Sequence, residues 1–498
     1  MRARLTRRQV LAAGLALPLL AAGSAALLSR PAPREVYRGP PDRVLVADRP
    51  RFLAGLNYPW KTGQDFGTGG WGHTGVSNPT TYQEVDVDFA NMAAQGVDIV
   101  KWRVFNDGRY SPEFTADGSV SGLDEYFFAD LDAALEIASR HHVQLVLTLF
   151  ASGFWTANCT SGDVQLGGHA DTLLDARKRR GLLDNAVIPM LRHIGRSDRV
   201  PAVEVIAEPE WGIEELHQEQ DARIKVPLAV IRDFLSESVS AVHRYTDALA
   251  TVESNRFSNM QVWQGLGLDY YSFSWYDWLE PYEPLATPAA AATLDRPIVL
   301  GEYPAGGSSY YSLPQVLDVA YGSGYAGAFA WSYWGGDGLS RWRDVATSFT
   351  DWTRQHWEVV AVSDAAPAAA GPILEQPYPY TYSDLSLRVD ADAVIAEMKI
   401  NVASGEPYVP HAYLYTLGNS QPLEDVRLSA AVGQPGRLAA RFANLEEGRP
   451  YAVSLGIFNR ADALRKWFDR VATFAVVDGA LTTPHVDTLA AELGCGNS

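Results

Sequence analysis

Eight short apolar runs recur along the first three quarters of this chain, and most are separated by segments of helical periodicity. The runs cover residues 52–57, 99–104, 144–149, 202–206, 250–253, 271–274, 298–300 and 326–331. Between them, residues 125–141 place Phe128, Leu131, Leu135 and Ala138 on one stripe, and residues 228–245 do the same with Leu228, Ile231, Leu235, Val239 and Val242. Residues 313–321 and 347–359 repeat the pattern more weakly, and residues 287–294 hold the only helix candidate between runs six and seven. Strands alternating with helices over this length predict a (β/α)8 TIM barrel, of α/β class, across residues 50–362. A doubly wound open sheet would want a Gly-rich phosphate loop after the first strand, and Gly55-Leu56-Asn57-Tyr58-Pro59 is not one.

The pattern changes beyond Val362. Residues 363–372, rich in Ala and Pro, read as a linker. Period-two alternation then takes over, with Leu385, Leu387 and Val389, Val394, Ala396 and Met398, His411, Tyr413 and Tyr415, and Tyr451, Val453 and Leu455. Residues 373–480 therefore predict a small all-β sandwich, either a sugar-binding module or a packing partner for the barrel, and 481–498 a tail. At the other end, Arg2, Arg4, Arg7 and Arg8 precede an apolar run from Val10 to Leu28. Residues 1–28 resemble a twin-arginine export signal, with residues 29–49 as connector; left uncleaved, that segment would anchor the chain in a membrane.

A net charge of −18 argues against nucleic acid as a partner, since phosphate binding needs clustered Lys and Arg. Cys159 and Cys495 are the only cysteines, either paired or free, and they build no zinc or redox motif. His73, His141 and His142 lack acidic residues at ligand spacing, so no metal or cofactor is expected. Oligomeric state is not legible. The 14 Trp and 23 Tyr fall in clusters just after strand runs, which suits stacking on sugar faces and makes carbohydrate the expected partner.

Catalytic groups of such a barrel project from the C-terminal ends of its strands. The fourth run, Val203-Glu204-Val205-Ile206-Ala207-Glu208-Pro209, puts Glu204, Ile206 and Glu208 on one face by alternation, with Glu208 at the mouth and Glu204 deeper, where it requires a partner. Pro209 ends the strand. The seventh, Ile298-Val299-Leu300-Gly301-Glu302-Tyr303-Pro304, brings Glu302 to the mouth as well, and Gly301 lets other groups approach the backbone. Two carboxyls facing each other across the opening suit glycoside cleavage.

These motifs resemble those of the retaining glycoside hydrolases with catalytic glutamates after strands four and seven, most nearly family 5. That clan reads Glu-x-x-Asn-Glu-Pro where this chain has Glu204-Val205-Ile206-Ala207-Glu208-Pro209. The resemblance implies Glu208 as acid/base and Glu302 as nucleophile, their oxygens about 5–5.5 Å apart. It implies Arg103 beside the nucleophile, helping to keep it ionised, Tyr276 hydrogen-bonded to it, and Trp331 as floor of the reacting subsite. Asn57, Trp155, Trp211 and Trp275 are further expected substrate contacts, with Asn106, Asp107, Glu253 and Asn255 behind them. Glu210 is the rival acid. Two positions depart from the clan: Ala207 replaces the Asn that contacts the sugar 2-hydroxyl, and Ser274 replaces a His. The expected activity is retaining hydrolysis of an extracellular β-linked glycan. The alternatives are a weakened, carbohydrate-binding barrel and a transglycosylase.

Overall fold

The computed structural model describes residues 39–59, 75–156, 158–161, 164–216, 224–333, 339–362, 378–416 and 422–482. The export signal, most of the glycine-rich loop with Trp71 and His73, the linker, nearly all of the tail, Cys495 and the side chain of Cys159 lie outside them.

Eight strands close a parallel barrel: β1 (Leu53–Asn57), β2 (Ile99–Asn106), β3 (Gln144–Ala151), β4 (Ala202–Ala207), β5 (Leu249–Ser254), β6 (Tyr271–Ser274), β7 (Ile298–Pro304) and β8 (Gly327–Trp331). Each pairs with its sequence neighbours, and β8 closes on β1 with Gly327 opposite Leu53. Parallel strands need crossovers, and the helices that supply them cover the barrel. These include α1 (Pro79–Ala94), α2 (Phe127–Arg140), α3 (Leu228–Tyr245), α4 (Leu313–Gly322) and α5 (Trp342–Gln355). Among the described residues only two 3-10 turns, Asp277–Leu279 and Ala289–Ala292, stand between β6 and β7.

The periodic stripe of α3 is buried from its second member on: Ile231, Leu235, Val239 and Val242 face the strands, joined by Phe234, while Leu228 at the helix start is only partly buried. Each such side chain contributes roughly 1.5–3 kcal/mol by leaving water. On α2 the stripe is rotated. Phe127, Leu131, Ala134 and Ile137 are buried while Phe128 stays exposed, because the ring of Phe127 fills the site beside Phe105, 5.3 Å away. Helix α5 begins five residues before the sequence pattern suggests, with Trp342 buried and its indole N–H on Gln95.

Beyond the barrel, two antiparallel sheets share one apolar core. One contains β9 (Tyr380–Asp390), β10 (Ala393–Val402), β13 (Ser429–Ala430) and β14 (Leu438–Ala443). The other contains β11 (Val409–Thr416), β12 (Glu424–Arg427), β15 (Tyr451–Phe458), β16 (Leu464–Val477) and β17 (Ala480–Thr482). This is the predicted sandwich, with one face reversed. On β11 the inward residues are Pro410, Ala412, Leu414 and Thr416, so His411, Tyr413 and Tyr415 point away from the core. A strand's two faces differ by one residue of phase, and here small aliphatic side chains fit between the sheets where tyrosines do not.

Candidate active site

The floor of the barrel mouth is charged. Lys101 on β2 is buried, and its Nζ lies 3.2 Å from Glu204 Oε2 and 2.8 Å from Glu253 Oε2. Glu204 also accepts from Thr148 Oγ1 at 2.9 Å. The partner that a carboxyl inside an apolar strand requires is therefore Lys101, held charged by the two glutamates despite burial.

Above this floor stand Glu208 and Glu302. Strand alternation does not carry Glu208 to the mouth. The β4–β5 register shifts between Glu204 and Ala207, and Glu208 adopts a left-handed conformation, φ 49° and ψ 52°. Its N–H donates to Glu253 O at 2.8 Å, and Pro209 then opens a short 3-10 turn. A non-glycine residue held there is strained, a frequent mark of a functional position. The Trp211 indole donates to Glu208 Oε2 at 2.9 Å. Burial first, then the negative charge of Glu302, pushes the Glu208 carboxyl up to about 7, against the opposing pull of Ser274, Trp211 and Arg103. Ser274 Oγ is buried and makes no full hydrogen bond of its own, so its effect on Glu208 is that of a nearby dipole.

Glu302 lies inside β7, which runs two residues past it. Its Oε1 is 3.3 Å from Arg103 Nη2, and its Oε2 accepts from Tyr276 Oη at 2.8 Å. Arg103 is oriented in turn by Asn106 Oδ1, 3.1 Å from Nη1, and lies over the Trp331 ring, 5.3 Å from its centroid. Tyr276 is kept protonated by burial and by the neighbouring carboxylates, so it donates to Glu302. The peptide joining Trp331 to Ser332 is cis.

The structure thus gathers Glu208, Glu302, Arg103, Tyr276, Trp211 and Trp331. It turns other expected contacts into scaffold. Trp155 is fully buried with its indole N–H on Gly212 O at 2.9 Å, and Trp275 is packed under Tyr311. Asn57 spends its amide on the carbonyls of Gly301 and Ala330. Glu253 and Asn255 are sealed from the mouth, and Asp107 pairs with Arg109 at 2.7 Å. Glu210, the rival acid, is also raised to about 7 by burial, but it faces inward. It accepts from Trp263 Nε1 at 2.9 Å and Asn255 N at 3.1 Å, and so anchors the loop after β5. Proton affinity alone does not separate the two acids; direction does. Sequence reading missed Lys101, whose signal was a lysine inside the apolar start of β2, two residues before Arg103.

No family model matches the chain. Among curated proteins, a mannan endo-1,4-β-mannosidase of Cryptopygus antarcticus is 23% identical over 324 residues, spanning 57% of this chain and 80% of that protein. Another from Mytilus edulis is 23% identical over 320 residues, 56% of this chain and 83% of its own. The chain is a homologue of glycoside hydrolases. The solved endo-1,4-β-mannanase of Eisenia fetida shares its fold, with TM-score 0.52, 23% identity, and coverage of 65% of this chain and 94% of that one. The resemblance read from strands four and seven and the class of enzyme therefore hold. Among the described residues no cluster of His, Cys, Asp and Glu could hold a metal ion, and no helix is long and apolar enough to cross a membrane.

Proposed function

We propose that this glycoside hydrolase cleaves a β-1,4-linked mannan or a closely related β-linked polysaccharide, with retention of anomeric configuration. The observation that carries the reading is the asymmetry of the two mouth carboxyls. Glu208 favours its protonated form up to about neutral pH, while both oxygens of Glu302 are met by donors from Arg103 and Tyr276. In the first step Glu302 attacks the anomeric carbon as the glycosidic C–O bond breaks, and Glu208 gives its proton to the departing oxygen. In the second, Glu208 takes a proton from water, which attacks the same carbon and expels Glu302. A group that titrates near 7 serves both steps at neutral pH. Mannan as substrate is supported by the activities named for the relatives. Export is supported by the paired Arg7-Arg8 and the apolar run that follows.

Hydrolysis of mannan followed by proton NMR tests this directly. The β-anomer should appear first, and Glu302→Ala should abolish the signal. An α-anomer appearing first would refute retention. Binding without turnover in the wild type would favour the carbohydrate-binding reading that Ala207 raises.

A further inference from the structure

Glu253 is fully buried at the end of β5, yet it touches the supports of both mouth carboxyls. Its backbone oxygen accepts from Glu208 N at 2.8 Å, the bond that holds the left-handed turn aiming the acid. Its side chain crosses to β7. A Cβ placed on Gly301 would stand 2.0 Å from Glu253 Oε1, so only glycine before the nucleophile leaves this carboxyl room. Its other oxygen accepts from Lys101 Nζ at 2.8 Å, and the same ammonium reaches Gly301 O at 3.4 Å.

We propose that Glu253, held by Lys101, is a positioning residue that couples the acid Glu208 to the nucleophile Glu302 and sets the charge balance beneath them. The inference rests on the glycosidase reading above. Four carboxyls converge here, Glu204 and Glu208 from β4 and its end, Glu253 from β5 and Glu302 from β7. They face two cations from β2, Lys101 and Arg103, with the neutral phenols of Tyr270 and Tyr276 closing the side of β6. With two positive charges for four carboxyls, a buried site approaches neutrality only when two of the four hold protons. Glu208 is one of the two, and burial pushes both Glu204 and Glu253 up, so the second proton is shared between that pair. Removing the share of negative charge that falls on Glu253 therefore weakens the hold on a proton at Glu208, and deleting the Lys101 charge strengthens it.

The test uses Glu253→Gln, close to isosteric, and Lys101→Met in the full chain. Glu253→Gln should lower kcat about 10-fold or more while KM stays within about 2-fold, because the loss lies in alignment rather than binding. The alkaline limb of the pH profile should move to lower pH in Glu253→Gln and to higher pH in Lys101→Met, each by about half a unit or more. Titration of the 13C-labelled Glu208 carboxyl in the ligand-free protein reads the same shifts without turnover. An inactive wild type would thus defeat the functional reading and leave this one decidable. Unchanged kcat, an unmoved Glu208 titration in a folded Glu253→Gln protein, or shifts of the same sign in both variants would each overturn the proposal. Should Lys101→Met fail to fold, the Glu253→Gln titration decides by itself.

Discussion

The barrel and the sandwich solve the problem of an interior in opposite ways. Between the sheets of the sandwich lie Val394, Ala396, Leu414, Phe442 and Val453, and its buried carboxylate, Glu397, sits at the side with Arg388 and Gln434 as partners. At the barrel mouth and in the floor beneath it, Glu208 and Glu302 above and Glu204 and Glu253 below crowd around Arg103 and Lys101. Burying charge costs several kcal/mol per ion unless it is well paired, and an apolar replacement is often at least as stable. The sandwich follows stability. The barrel mouth departs from it, as active sites do when proton affinities must be tuned.

Removing the nucleophile would make that difference largest. Glu302→Ala should cost at least about 10⁴-fold in kcat on a β-mannan, since the proposed covalent route would be lost. A residual rate within 100-fold of wild type would mean that another group attacks.

Glu208→Gln comes next, with a loss of about 10²–10⁴-fold, the usual worth of a general acid. Wild-type activity should fall as pH rises through about 7, where Glu208 loses its proton. Stability gives the same group a second readout. The folded carboxyl titrates near 7 and the unfolded one near 4.3, so the folded state binds the extra proton and is penalised as pH rises through that window. Glu208→Gln lifts the penalty, so its Tm should exceed wild type at pH 8 and match it at pH 4. Equal Tm values at pH 8 would show that Glu208 is not held protonated. A smaller effect is expected of Trp211→Phe, which removes the indole donor to Glu208 Oε2. The anion then loses a partner, the alkaline limb should rise by a few tenths of a pH unit, and kcat should fall about 3–10-fold.

The barrel was legible because its parallel strands are buried on both faces and read as apolar runs bounded by turn residues. Glu208 and Glu302 were legible because each ends or interrupts such a run within two residues of a proline. What was hidden depended on three-dimensional partners. Nothing in Val100-Lys101-Trp102 says that Lys101 will meet carboxyls from β4 and β5, and nothing near Glu253 distinguishes a buried brace from a substrate contact. The left-handed turn at Glu208 was also hidden, since alternation assumes an unbroken strand. On β11 a tyrosine face and an aliphatic face alternate with equal regularity, and only the opposing sheet decides which one is buried.

The two regions meet through a charge, and that contact offers the mildest perturbation. Lys466 of β16 places Nζ 2.6 Å from Glu84 Oε2 on α1, where the glutamate is almost wholly buried and the lysine about one-fifth exposed. Lys466→Met keeps the aliphatic stem and removes the ammonium. A pair of mixed exposure is worth about 1–2 kcal/mol, between the surface and fully buried cases, so Tm should fall by a few degrees, and less in high salt. Helix α1 joins β1 to β2, and β2 carries Lys101 and Arg103 away from this contact. Catalysis should therefore stay within about 2-fold of wild type. A Tm loss without a kinetic one makes the sandwich a brace for the outer helix layer. A matching fall in kcat would show instead that the charged mouth feels the sandwich through α1, and the contrast between the two interiors would no longer be a separation of roles.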